Sequence, residues 1–435
     1  MCDLHIPAEE GGEPALEQGL AVYACAADVQ PGTPSILLTG SGDQRAAREL
    51  AAARPAADIF GVGEPYAMTD LIFKHEARDY TERIAEVARQ IVALNAIEVD
   101  MGGADIPMSQ SQARALRIFA RRHQARRIEV VNLGGLSASL AVRATLLRED
   151  GGFIAAVFAK LAALDEVASE RERYQEAALR LPAGSYAPLL DTVMAGAGRT
   201  GGLFYGLAER HQTTLFEHLA QDPAGATAIA AHLREVLGAW RDIERDTARE
   251  PEHVLVTTLR RDRAPSGDLA EHTAALVEGW QDFERRSVPV RRSLQHGDLH
   301  GSNVLIGEGE GAIPLLIDFS NVEEAPSCFD PVVLELSLVF HPDRPPTEGW
   351  PTIEQCEHWD DIDAYVRGCP APDFVRACRE WALEEGAAPV SVYAVAYAEA
   401  LRQLRYAEDE SDRALAIAAA AARAGLALVE PAPAG

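Results

Sequence analysis

Between positions 296 and 303 the chain reads His-Gly-Asp-Leu-His-Gly-Ser-Asn, and fifteen residues beyond Asn303 an apolar run, Pro314-Leu-Leu-Ile-Asp-Phe319, carries Asp318 at its end. This string reads as a loop. Gly297 and Gly301 open backbone conformations closed to residues with a Cβ, so the loop can deliver Asp298 and Asn303, five apart, to one point. One carboxylate there can orient an attacking hydroxyl, while an amide oxygen and the second carboxylate of Asp318 hold Mg²⁺, which prefers hard oxygen ligands. That is the arrangement phosphoryl transfer from ATP requires. His296-Gly297-Asp298 alone is equally a polar turn; the whole string with Ile317-Asp318-Phe319 behind it is hard to ascribe to chance.

The string resembles the catalytic loop and metal-binding segment of the protein-kinase-like superfamily in its small-molecule form, where His-Gly-Asp-x-His stands for His-Arg-Asp. In particular it is similar to the aminoglycoside phosphotransferase family. The resemblance implies that Asp298 orients the acceptor hydroxyl, with His296 and His300 beside it as catalytic-loop residues, and that Asn303 and Asp318 hold Mg²⁺.

Lysine usage points the same way. Of 40 Lys and Arg only Lys74 and Lys160 are lysines, and Lys160 ends an otherwise apolar strand-like run, Phe153-Ile-Ala-Ala-Val-Phe-Ala-Lys160. A kinase needs an ammonium at such a place, to contact the nucleotide phosphates and pair with a helix carboxylate; the alternative is a lysine snorkelling at a strand end. The helical segment Asp165–Leu179 supplies the partner, Glu170, with Glu166 one turn earlier as its rival. One hairpin upstream, Gly134, Gly135 and Ser137 lie between two apolar runs, where free backbone N–H groups can cradle phosphates. Gly201–Ala208 reads as the strand leading to the hinge between lobes, where adenine would bind; a plain core strand fits it too.

Composition narrows the class. The formal net charge is -27, from 67 Asp and Glu against 40 Lys and Arg, with a sequence pI of about 4.8, so a nucleic-acid backbone is an unsuitable partner. No run reaches the roughly eighteen apolar residues of a membrane span and no signal peptide is visible, which predicts a cytoplasmic protein without a membrane partner. The six cysteines show no Cys-x-x-Cys spacing, against a disulfide scaffold or zinc site. Cys356-Glu-His358 reads as surface.

At the N-terminus, Met1-Cys-Asp3-Leu-His-Ile-Pro7-Ala-Glu-Glu-Gly11 resembles the phosphoacceptor segment of response-regulator receiver domains. Ser35-Ile-Leu-Leu-Thr39-Gly resembles their switch-Thr strand, and Ala56–Pro65 their last strand. Two departures stand out: the first strand, with its acidic pair for Mg²⁺, would precede Met1, and Glu64 occupies the lysine position. An upstream start or a degenerate receiver kept as an interaction surface would each account for this.

Asp70–Ile97 and Ser109–Ala125 have helical periodicity, the second with Ser109 or Ser111 as N-cap, and read as a helical connector. Thr213–Ala220, Thr227–Arg249 and Asp268–Arg286 read as further helices, and Ala-rich helices fill 388–429. In Cys328-Phe-Asp330-Pro-Val-Val-Leu-Glu335 the resemblance implies a helix whose Asp-Pro start and internal carboxylate, here Glu335, brace the catalytic loop.

The expected fold is therefore α+β: a bilobal protein-kinase-like fold, with a small antiparallel β lobe (126–210) and a larger helical lobe (211–435). It is preceded by a partial α/β receiver-like segment (1–75) and the connector (76–125). Receiver-like segment and loop motifs together bring the chain closest to the bacterial ternary-complex-associated kinase-like domains. The expected function is ATP-dependent phosphotransfer to a hydroxyl of a small molecule or protein, in bacterial signalling, with ATP and Mg²⁺ as cofactors and a protein partner on the receiver-like segment. The alternative is a nucleotide-binding, pseudokinase-type signalling or assembly module with little turnover.

Overall fold

A computed structural model describes residues 2–39, 49–50, 52–74, 77–103, 106–133, 139–206, 211–245, 250–264, 280–307, 313–347, 349–406 and 410–428. The chain divides into two compact units, Met1–Glu172 with Pro188–Leu207, and Arg173–Ala187 with Ala208–Gly435. The architecture is mixed α and β, with one sheet-rich and one largely helical unit. Among the described residues no helix is long and apolar enough to cross a membrane.

The first unit is built on a six-stranded sheet in the order Leu189–Val193, Thr200–Gly206, Phe153–Ala163, Leu140–Leu147, Arg127–Asn132, Glu98–Asp100. All neighbours are antiparallel except the last pair. Leu140–Leu147 shows why it is a strand: Leu140, Val142, Ala144 and Leu146 alternate into the core, the period of two that buries one face of a sheet. The helix Gln110–Arg122 covers that core, and Phe119 stacks on Phe204 with ring centroids 3.9 Å apart. Ser109 caps this helix in a reciprocal box with Gln112, which decides between the two serines. The segment read as a connector thus lends the sheet both an edge strand, Glu98–Asp100, and a covering helix.

A second sheet of this unit is parallel, in the order Cys2–Asp3, Ser35–Thr39, Thr69–Phe73. The helix Leu16–Val29 packs on it, and the Tyr23 hydroxyl meets Thr69 Oγ1 at 2.7 Å. Two sequence expectations are corrected here. Ala56–Pro65 is no strand: the Asp58 carboxylate accepts the backbone N–H groups of Gly61, Val62 and Gly63 at 2.7–3.0 Å, folding the segment into a turn fastened to Arg122 at 3.1 Å. The third strand comes later, inside the stretch read as helix from Asp70, and the helix begins at Ala77. Lys74, directly after that strand, places Nζ 2.6 Å from Asp3 Oδ2. The lysine at this sheet end is Lys74.

The second unit holds a three-stranded antiparallel sheet, His211–Thr214, Val304–Gly307 and Pro314–Leu316, and the two-stranded ribbons Arg292–Gln295 with Glu323–Pro326 and Glu252–Leu255 with Ser287–Val290. Helices Leu215–Gln221, Pro223–Arg245, Phe329–Phe340, Pro372–Glu385, Pro389–Gln403 and Ser411–Leu428 pack around them. Every residue of Phe329–Phe340 is buried. Most of the helix expected over Asp268–Arg286 lies outside the described residues; its end is the short helix Trp280–Glu284. Cys356, expected at the surface, is buried while His358 is exposed, because it closes a short helix, Ile353–Cys356, that packs against Ser411–Leu428.

Helices Phe329–Phe340 and Pro372–Glu385 are pinned by a buried pair. Arg379 donates to both Glu335 oxygens at 2.9 and 2.6 Å, Trp359 Nε1 donates to Glu335 Oε1 at 2.8 Å, and the guanidinium lies 3.6 Å from the Trp359 ring centroid. Breaking a buried pair leaves an uncompensated charge. Glu335→Ala is expected to lower unfolding stability by about 3–5 kcal/mol, while the apolar replacement Glu335→Leu with Arg379→Met recovers most of the loss. Urea melts of both variants check this, and an equal loss in the two would contradict it.

Candidate active site

The loop after strand Arg292–Gln295 is held from below by one carboxylate. Asp330 Oδ2 accepts the backbone N–H of His296 at 2.7 Å and Oδ1 that of Gly297 at 3.0 Å, while Gln295 Oε1 accepts the N–H of Asp330 at 3.0 Å. Gly297 sits at φ +79°, and a Cβ there would lie 2.0 Å from the Asn321 carbonyl oxygen; no other residue fits without moving the backbone. The expectation that Glu335 shares in bracing the loop is corrected. Its longer side chain turns to Arg379 and Trp359, while Asp330 holds the N–H groups of His296 and Gly297. Burial raises the Asp330 pKa, opposed by His296 and the two N–H bonds.

The fully buried His296 ring bonds the Ile317 carbonyl through Nε2 at 3.0 Å. Asn303 O accepts the N–H of Ile317 at 3.1 Å. These two contacts tie the loop to the strand end that carries Asp318. Asp318 has φ +61°, rare for a residue with a Cβ and a conformation that clusters at functional sites. Its Oδ1 accepts from the Ser320 N–H at 3.2 Å and hydroxyl at 2.5 Å.

Asn303 ends the 3-10 turn Gly301–Asn303. Its Nδ2 donates to the Asp298 carbonyl at 2.9 Å and meets His300 Nε2 at 3.1 Å. A neutral imidazole can accept that second bond. Burial, with His341 and His296 nearby, pushes the His300 pKa down to about 3. The ring is also fixed by stacking, 4.2 Å from His341 and 6.5 Å from Phe216, centroid to centroid. With both amide hydrogens directed at these acceptors, Asn303 Oδ1 is its remaining polar atom. Among the described residues no group of three or more His, Cys, Asp or Glu converges as a metal site. The hard oxygens of Asn303 and Asp318 are a donor set suited to Mg²⁺, which is usually held by one or two protein oxygens, substrate phosphates and water.

Asp298 lies on the same loop with its side chain 29% exposed, its Oδ2 3.7 Å from His300 Nε2 and its Oδ1 3.8 Å from Arg402 Nη2. Burial raises its pKa, opposed by Arg402 and His296 and reinforced by Asp318. In the sheet-rich unit, Lys160 on the strand Phe153–Ala163 reaches Glu170 Oε2 at 2.8 Å, and the Tyr205 hydroxyl donates to Glu170 Oε1 at 2.8 Å. Of the two glutamates weighed, Glu170 is the one that Lys160 meets. Gly134, Gly135 and Ser137 lie outside the described residues.

Sequence reading missed His341, Glu399 and Arg402. The last two were visible as the charged residues of Pro389–Gln403, a helix otherwise of apolar and neutral side chains, where a charge in a mainly buried run calls for a partner. From the bracing geometry, Asp330→Ala is expected to cost about 1–3 kcal/mol for each orphaned N–H, and Asp330→Asn, which keeps one acceptor oxygen, less. Denaturant unfolding of the two variants measures the difference.

Comparison with known proteins follows from this geometry. No curated protein matches the chain. Among solved structures, an amicoumacin kinase in complex with AMP-PNP, Ca²⁺ and Ami is 12% identical, with 78% of this chain and 93% of that one covered and a TM-score of 0.37. An aminoglycoside-3'-phosphotransferase of type VIII is 18% identical (63% and 100% covered, TM-score 0.36), and a Plasmodium vivax ethanolamine kinase 12% (74% and 97%, TM-score 0.35). The model of the phosphotransferase enzyme family, APH, matches residues 132–350, just over half of the chain. That span takes in the Lys160 strand, the loop that Asp330 holds and the Asp318 turn, and the chain accordingly belongs to this family of kinases and phosphotransferases.

Proposed function

We propose that the chain transfers the γ-phosphoryl group of ATP to a hydroxyl of a small molecule or a protein. The observation that carries this reading is the construction of the 296–303 loop, in which Asp298 has its carboxylate free of hydrogen bonds among the described residues while the Asn303 amide is fixed by two acceptors. The Asp298 carboxylate takes the hydroxyl proton as the acceptor oxygen attacks the γ-phosphorus, and ADP leaves with the electrons of the broken P–O bond. Bound through Asn303 and Asp318, Mg²⁺ supplies charge neutralisation for the polyphosphate. Lys160, oriented by Glu170, contacts nucleotide phosphates, and the backbone of Gly134, Gly135 and Ser137 cradles them. His296 and His300 hold Asp318 and Asn303 in place. ATP as donor suits a cytoplasmic enzyme, and closeness to the bacterial ternary-complex-associated kinase-like domains, with a signalling role, belongs to the same reading.

Calorimetry with ATP, with and without Mg²⁺, tests it first; no binding at millimolar nucleotide would remove it. Asp298→Asn keeps shape and reach but lacks the carboxylate, so turnover is expected to fall by ~10²-fold, the low end for loss of a general base, with nucleotide affinity retained. Asp318→Ala is expected to weaken Mg²⁺-ATP binding itself. Binding in the wild type without turnover across a broad acceptor panel would favour a nucleotide switch.

A second reading concerns Asp3, and the Lys74 contact at 2.6 Å favours it. Asp3 ends one strand of a parallel sheet, and the buried Thr39 ends the next. We read the segment as receiver-like, with Asp3 as acceptor of a phosphoryl group and the sheet end as a surface for a protein partner. Acetyl phosphate is expected to label the wild type with a hydroxylamine-labile phosphate, and neither Asp3→Asn nor Lys74→Ala to the same extent. No labelling of the wild type would leave only the docking role.

A further inference from the structure

The helix Pro389–Gln403 carries Glu399 and Arg402 near its end, and Glu399 is 1% exposed. Its Oε2 accepts from Arg263 Nη2 at 3.2 Å and Nε at 3.3 Å; its Oε1 accepts from Arg402 Nη1 at 2.9 Å and Gln403 Nε2 at 2.7 Å. A buried carboxylate engaged at both oxygens is a rigid post. Arg263 is fixed in turn, with its guanidinium 4.3 Å from the Phe329 ring centroid. The post leaves Arg402 Nη2 facing Asp298 Oδ1 at 3.8 Å.

That separation matters. It is too long for a hydrogen bond, so both Asp298 oxygens keep their lone pairs, yet short enough for a partly buried charge pair to count. Arg402 is the only Lys or Arg within 4 Å of this carboxylate among the described residues.

We propose that Arg402, held by Glu399 and Arg263, is a positioning residue for Asp298: it turns Oδ1 toward itself, leaving Oδ2 for the acceptor proton. This rests on the reading of Asp298 as the base. The helix end thereby adds to the loop motif a residue far from it in sequence.

The test uses the full chain and Mg²⁺-ATP, with water as acceptor. Arg402→Met is expected to lower kcat at least ~10-fold, a fraction of the effect of losing a general base, with nucleotide affinity within about twofold because the guanidinium acts on the base. Arg402→Lys is expected to restore part of the rate, and millimolar guanidinium chloride part of that of Arg402→Ala, which a merely structural role would not allow. In an Asp298→Asn background Arg402→Met should add nothing further. An unchanged kcat in Arg402→Met, or a loss that persists in the Asp298→Asn background, overturns the inference while Asp298 remains the base. No hydrolysis by the wild type, or no effect of Asp298→Asn, removes the reading of Asp298 and this inference with it.

Discussion

Two consecutive backbone N–H groups, those of His296 and Gly297, converge on the Asp330 carboxylate, and the rest of the site depends on that convergence. It fixes where the loop leaves its strand, and with Gly297 in the left-handed region it fixes the direction. Downstream, the His296 ring and the Asn303 carbonyl reach the same short stretch at Ile317. The loop and the Asp318 turn therefore behave as one piece. Asp330 can serve as anchor because it opens a helix whose every residue is buried, so its position is set by packing and not by the loop it holds.

A few of the charged residues in this acidic chain form buried or half-buried pairs. Glu335 with Arg379, Glu399 with Arg263 and Arg402, and Glu284 with Arg260 are carboxylate–guanidinium pairs, and the planar fork of Arg suits such paired geometry. Lysine is kept for two places, Lys160 beside Glu170 and Lys74 beside Asp3. An ammonium on a flexible stem is a compact point charge, which suits contact with phosphates better than locking helices together.

Much of the site was legible in order along the chain. The glycines, Asp298, Asn303 and Asp318 are separated by short spacings within one loop and the next strand, so local chain geometry brings them close. Lys160 stood out through the rarity of its residue type, and Glu170 through its place in the following helix. Misreadings had both distant and local causes. Glu335 was expected as a loop brace from the family resemblance, yet its side chain turns to Arg379, 44 residues on. Ala56–Pro65 was expected as a strand from its resemblance to the last strand of receiver domains, whereas the Asp58 carboxylate folds it into a turn.

The sequence by itself determined which chemical groups the chain brings to the 296–303 loop and Asp318, because those groups are close in the chain and glycine placement is a local property of the backbone. Only the tertiary structure decided what surrounds them: Asp330 under the loop, His341 and Phe216 around His300, and Arg402 on Glu399 beside Asp298. These come from separate helices and chain segments, and no spacing rule links residues whose proximity is set by the packing of apolar helix faces.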